Sequence, residues 1–183
     1  MTIFNQTDTS PCAQDYLPVS SDILLCLLDR WGIKYNAHTH IPLRTVADSK
    51  RIQNRFLSPE NGGGHIKNLY LRDHKKKNIL LVAKQDRVID LKNIDKILGT
   101  GRLSFGSEER LMEHLGVRPG SVTPLSMITG VNKNVSLYLD HTLKFCSRIY
   151  VHPLVNNRTL EMSLEELNKF FEKIKCVPKW VHI

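Results

Sequence analysis

An ammonium and a carboxamide stand side by side at Lys67 and Asn68, inside the segment Gly64-His65-Ile66-Lys67-Asn68-Leu69-Tyr70-Leu71-Arg72-Asp73. A lysine there can hold a phosphate or polarise a carbonyl group, and the amide beside it can donate or accept a hydrogen bond. Glycines 62 to 64 precede the pair; they let backbone approach a ligand closely or simply make a loop, and the loop is the plainer expectation. His152, in Val151-His152-Pro153-Leu154, is open to two readings, a site imidazole or a satisfied core residue. His38 and His40 lie two apart, as on one face of a strand, a spacing that suits a metal. With no cysteine or carboxylate near them in sequence, a structural role is expected and no metal is called for. Gly120-Ser121-Val122-Thr123-Pro124 follows Pro119 and reads as a turn between helix and strand. Asp86, Arg87 and Asp90 read as strand-end polar residues in local ion pairs. There is no Gly-x-Ser-x-Gly elbow, no phosphate loop and no dinucleotide fingerprint, which sets aside the enzyme classes built on them.

The elements that must position these groups are legible as periodicities. Alternation sends Leu69 and Leu71 to the core and brings Lys67 from the loop end of the same strand, so ammonium and carboxamide meet a cleft. Ile79 to Ala83 is apolar on both faces and predicts a central strand, joined to the first by a hairpin across residues 73–77. Lys75, Lys76 and Lys77 form its basic tip, which by itself is a solvated turn. Ile33 to Thr39, Val135 to Leu139 and Arg148 to Val151 read as further strands. A helix capped by Ser20 or Ser21 carries the stripe Ile23, Leu24, Leu27, Leu28 and Trp31 and stops at Gly32, with Cys26 among its buried residues. Thr45 and Asp48 resemble a capping box for a polar second helix. Leu91 to Leu98 ends at Gly99, and Ser107 to Leu115 ends at Gly116. Ser163 with Glu166 opens the last helix, which buries Leu164, Leu167, Phe170, Phe171 and Ile174. The expected fold is α+β: a mixed, curled, barrel-like sheet surrounded by helices.

At 183 residues the chain is long enough for one self-supporting domain, expected over 20–183 behind a flexible extension at 1–19. Its net charge of +8 fits either a solvated basic surface or an anionic partner such as nucleic acid. Four unpaired cysteines and a polar N-terminus, with no apolar run long enough to cross a membrane, lead to the expectation of a cytoplasmic, non-membrane protein with free thiols. No heptad pattern is present, so a monomer is expected.

In order and content, five pieces resemble the YbaK/ProX superfamily of free-standing aminoacyl-tRNA editing proteins. They are Lys67-Asn68-Leu69 with Arg72-Asp73, Asp86-Arg87 with Asp90-Leu91, Gly101-Arg102-Leu103-Ser104-Phe105, Gly120 to Pro124, and His152-Pro153-Leu154-Val155-Asn156. The resemblance runs from about residue 21 to 175 and is nearest to the branch that removes alanine from proline tRNA. It implies a metal-free, cofactor-free deacylase of mischarged Ala-tRNA(Pro). Lys67, Asn68, Gly120 and His152 would be the catalytic set, and Ser121, Val122, Thr123 and Pro124 the loop lining the aminoacyl pocket. The same resemblance implies tRNA as partner through its acceptor stem and aminoacylated 3′ end, met by Arg72, Arg102, Lys75 and Lys76, with prolyl-tRNA synthetase as a possible second partner. An aminoacyl ester is already activated, so such an enzyme needs a positioned water and a place for negative charge, and the substrate's own 2′-hydroxyl would assist. A compact apolar pocket would admit alanine and exclude proline by size. Deacylation of cysteine or serine, or non-catalytic tRNA binding beside the synthetase, stays open. The run from Ser49 to Gly64 is more polar than the family segment, and the N-terminal extension has no family counterpart.

Overall fold

Strand β2 (Gly63–Asp73) is the longest element of the sheet, and every other strand is arranged from it. The structure, a computed structural model, describes residues 14, 16–43 and 46–183. Over Ile66 to Arg72, β2 pairs antiparallel with β3 (Asn78–Lys84), with Lys67 opposite Ala83 and Arg72 opposite Asn78. Its first three residues instead run parallel to β6 (Arg148–Val151), Gly64 lying opposite Ile149. Its last three pair with β4 (Leu103–Phe105). Beyond β6 come β7 (Arg158–Met162) and β1 (Asn36–Thr39); beyond β3 come β5 (Ser136–Asp140) and β8 (Lys179–Val181). The result is a mixed eight-stranded sheet with β1 and β8 as its ends, so the expected α+β architecture holds while the sheet stays open.

Strand β3 explains its own apolar run. Leu80 and Val82 face the larger core, Ile79 and Leu81 face a second, smaller one, and all four are buried. Helices α1 (Ser21–Arg30), α4 (Glu108–Leu115) and α6 (Leu164–Lys173) cover the larger core through Leu24, Leu28, Leu115, Phe170 and Phe171. Helix α3 (Leu91–Leu98) covers the smaller core with Ile94 and Leu98. The caps at Ser20 and Ser163 and the stops at Gly99 and Gly116 are where the sequence puts them, and Asp90 and Ser107 add two more caps. Ser20, Asp90, Ser107 and Ser163 each accept from a first-turn backbone N–H, and Gly99 and Gly116 close their helices in the left-handed region. Helix α2 (Val46–Ile52) also forms, although its Thr45 cap lies outside the described residues. Helix α5 (Met127–Gly130) is one turn at the larger core.

Several expectations change. Cys26 is exposed, because two residues on from Leu24 is the far side of the helix, and Ile23 and Ile97 are half exposed for the same kind of reason. Cys146 is buried and Cys176 partly so; all three thiols are free, and Cys12 is outside the described residues. Gly63 and Gly64 belong to β2 itself, not to a loop. Asp86 and Arg87 do not pair locally: Asp86 meets Lys50 at 2.9 Å and Arg87 meets Asp140 at 3.5 Å, while Asp90 caps α3. Strands β4, β7 and β8 were not anticipated. Of the N-terminal extension, residues 1–13 and 15 lie outside the described residues, while Leu17 and Val19 pack against the larger core.

Phe170 is fully buried between Trp31 and Phe171. We expect Phe170→Ala to cost about 3–5 kcal/mol of folding stability, read from the denaturant midpoint.

Candidate functional site

Two hollows lie side by side at the end of the sheet where β2 begins. The smaller, about 40 Å³, has Leu43, Ile52, Phe56 and Ile66 on its apolar side and His152, Thr159 and Tyr150 on its polar side. The larger, about 560 Å³, is walled by Lys84, Asp86, Arg87, Val88 and Thr142. His65 and Gln85 line both.

The wall above them is held by one residue, Leu57. Its N–H donates to the Tyr150 hydroxyl at 2.9 Å, and its carbonyl accepts from His65 Nε2 at 2.8 Å. The His65 ring stacks on Tyr150 with centroids 4.8 Å apart, and Phe56 leans on Tyr150 at 4.7 Å. Gly63 is what lets this segment lie on β2. A Cβ there would overlap the Leu57 carbonyl oxygen and sit 2.7 Å from its carbon; on Gly64 it would come within 2.7 Å of the Arg148 carbonyl. The glycines therefore admit the protein's own backbone.

His152 donates from Nδ1 to the Arg158 carbonyl at 3.0 Å, which leaves Nε2 as an acceptor. Its neighbour His40, 6.4 Å away between ring centroids, reaches the Ile41 carbonyl from Nδ1 at 2.7 Å and the Thr159 hydroxyl from Nε2 at 2.8 Å. Burial holds His40, His65 and His152 below the ordinary histidine pKa of 6.5; their backbone hydrogen bonds oppose that shift. Neutral rings with fixed tautomers follow. His38 turns instead to Glu161, 3.3 Å away, and to the edge of Phe56. Among the described residues no three His, Cys, Asp or Glu side chains gather as a metal site.

Of the residues singled out by sequence, His152 lines the small hollow and Asp86 and Arg87 the large one, while Lys67 lines neither and touches a residue of the large one's wall. The Lys67 ammonium donates to the carbonyl of Arg87, a wall residue. It comes from mid-strand, four residues after β2 begins. Asn68 points to the opposite face, because neighbours in a strand alternate, and its Oδ1 is buried without a partner among the described residues. The residues Gly120 to Pro124 line neither hollow. They turn from α4 into a further helical segment, with Thr123 fully buried and capping it and Val122 packed on the larger core. Lys75 and Lys76 are exposed at the hairpin tip, and Arg102 is exposed before β4. Arg72 does not pair with Asp73, whose carboxylate accepts from Lys77 N–H; it lies opposite Asn78, which also receives Arg110 Nη2 at 3.1 Å. Sequence reasoning missed His65, Gln85, Tyr150 and Thr159. His65 sits in the quoted segment and could have been found there; the others meet it only through strand pairing.

With this geometry in hand, the comparisons give the class. Residues 40–170 match the aminoacyl-tRNA editing domain, and the chain belongs to that family. Within it the chain is similar to the prolyl-tRNA editing protein ProX of Acetoanaerobium sticklandii, 34% identical over 80% of this chain and 87% of that protein. It is also similar to the prolyl-tRNA synthetase associated domain-containing protein 1 of Xenopus laevis, 37% identical over 66% of this chain and 74% of that one. A solved structure provisionally assigned as a trans-editing enzyme for prolyl tRNA synthetase shares the fold, with a TM-score of 0.66 at 18% identity over 89% of this chain and 96% of that one.

Gly63→Ala is expected to lower stability by about 1–3 kcal/mol, since the overlap is with backbone that cannot rotate away; urea unfolding measures it. The lowered pKa values of His40, His65 and His152 give a pH dependence with a definite sign. Between the lowered values and 6.5 the unfolded chain binds more protons than the folded one. Stability from the three neutral rings is complete above pH 6.5 and drains away below it. Melting temperatures taken from pH 8 downward should hold level and then fall, and the fall should shrink in His65→Phe.

Proposed function

We propose that the protein is a trans-acting editing hydrolase that removes alanine from mischarged Ala-tRNA(Pro) by ester hydrolysis without a metal. The observation that carries this is the narrow, half-apolar hollow opening beside a larger cleft with basic side chains in its wall, in a chain of the editing-domain family. The name of its ProX relative, a prolyl-tRNA editing protein, supports proline tRNA as the substrate. In this reading the amino-acid side chain enters the small hollow and the terminal adenosine takes the large one. The small hollow would then admit a methyl group and refuse a pyrrolidine ring, because a clash excludes a larger group more firmly than lost contact excludes a smaller one.

Each residue then has a task. Lys67, Arg87 and Lys84 supply positive charge to the phosphate and ribose end of the substrate. Phe56 and Leu57 keep bulk water from the small hollow. His152, neutral and fixed by Arg158, presents Nε2 as an acceptor that orients the attacking water, and the substrate's 2′-hydroxyl assists the departing oxygen. The exposed cations Arg102, Lys75 and Lys76 meet acceptor-stem phosphates.

The test is the decay of labelled alanyl-, cysteinyl- and prolyl-tRNA(Pro). We expect alanine to be lost, proline to be spared, and Lys67→Ala to slow the reaction about 10²–10³-fold. The ratio of wild-type to His152→Ala rates should stay constant through pH 6.5 and shrink only as the pH falls past the lowered pKa of His152, since protonation removes the Nε2 acceptor. Survival of all three esters would refute the assignment.

A further inference from the structure

Gln85 holds a donor for which the described residues supply no acceptor. It follows the last residue of β3, and its N–H donates to the His65 carbonyl at 2.8 Å, adding a rung to the β2–β3 ladder. Its backbone is thereby fixed. Its side chain is 6% exposed and lines both hollows, yet Nε2 has no hydrogen-bond partner among the described residues. An unpaired buried amide bears the full cost of leaving water, and an apolar side chain of the same size would avoid it. Thr142, in the wall of the larger cleft, likewise has an Oγ1 without a partner among the described residues.

Two residues line both hollows, and they are not equivalent. The His65 Nε2 proton is committed to the Leu57 carbonyl, so that ring can only accept toward the hollows. Of the two, Gln85 is the one whose side-chain N–H is uncommitted among the described residues. If a side chain fills the small hollow and a ribose the large one, the group crossing that wall is the ester carbonyl, an acceptor.

We propose that Gln85 Nε2 donates to the carbonyl oxygen of the aminoacyl ester and to the negative charge that oxygen takes up in the reaction. This rests on the function proposed above. Water oxygen bonds to the carbonyl carbon, and the C=O π pair moves to the oxygen facing Gln85. Collapse restores the carbonyl and breaks the bond to the ribose oxygen, which leaves with the proton the water gave up. A donor aimed at that oxygen is worth most when the charge is fully formed, so its loss should appear in the chemical step and not in binding.

The experiment compares wild type with Gln85→Met, similar in volume but without a donor, and with Gln85→Glu, which offers an acceptor instead. Single-turnover hydrolysis of alanyl-tRNA(Pro) over a range of protein concentrations separates the rate from half-saturation, and thermal melts report the fold. We expect Gln85→Met to lose about 10²–10³-fold in rate with half-saturation within about threefold of wild type. Its melting temperature should equal or exceed that of wild type, a combination that a merely structural amide would not produce. Gln85→Glu should be impaired at least as much. Gln85→Met that hydrolyses at the wild-type rate, that loses only in half-saturation, or that melts lower while losing rate, overturns the inference and leaves the editing function standing. Wild type that hydrolyses neither alanyl-, cysteinyl- nor seryl-tRNA(Pro) overturns both.

Discussion

The ladder between β2 and β3 is the interaction on which the rest of the structure depends. Its register sends Lys67, Leu69 and Leu71 to one face of the sheet and Ile66, Asn68 and Tyr70 to the other. A slip of one residue would bury the lysine in the larger core and pull Tyr70 away from Asn78, whose Oδ1 accepts its hydroxyl proton at 2.9 Å. The same ladder, extended by Gln85, brings the end of β3 level with His65. Because the start of β2 is shared with β6, that edge also meets the strand that ends just before His152. One strand therefore sets the positions of groups that come from four separate stretches of the chain.

The chemistry of the hollows is one of desolvation. Four aromatic or imidazole rings, Phe56, His65, Tyr150 and His152, surround the polar atoms of the small hollow and exclude water from them. Exclusion raises the Tyr150 phenol above its usual pKa and lowers the imidazoles, so every ring is uncharged at neutral pH. Cationic charge stays in the neighbouring cleft, where Arg87 is steadied by the wholly buried Asp140. Neutral polar groups thus line the small hollow, while the positive groups Lys84 and Arg87 line the cleft beside it.

How far the sequence foretold this differs from one element to the next. The stop at Gly116 and the cap at Ser163 were legible because they depend on residues a few positions away. The central place of β3 was legible from its unbroken apolar run. The faces were harder: Cys26 looked buried by composition and is exposed by angle, and Lys67 with Asn68 looked like a pair and is divided by the pleat. Of the site, Lys67 and His152 could be named in advance because motif order carried them. Gln85, Tyr150 and Thr159 could not, since nothing local marks residues brought to the hollows by strand pairing and by hydrogen bonds with His65, Leu57 and His40. The glycines before Lys67 were read chiefly as a loop; Gly63 and Gly64 lie in β2 instead, and what approaches Gly63 is Leu57, a contact no pattern in the chain announces.

Among the described residues the main run of the open sheet ends at β1 and β8, and both are short, as is β4, which pairs with β2 alone. Strand β1 has four residues and β8 three, where β2 has eleven. An exposed border offers unpaired backbone groups to any passing chain, and its hold on a second strand grows with length. Here a visiting strand would find three or four residues to pair with, at β8 flanked by the cation of Lys179. A fold that never closes into a barrel thereby keeps these open borders brief, which leaves a second strand little backbone to hold.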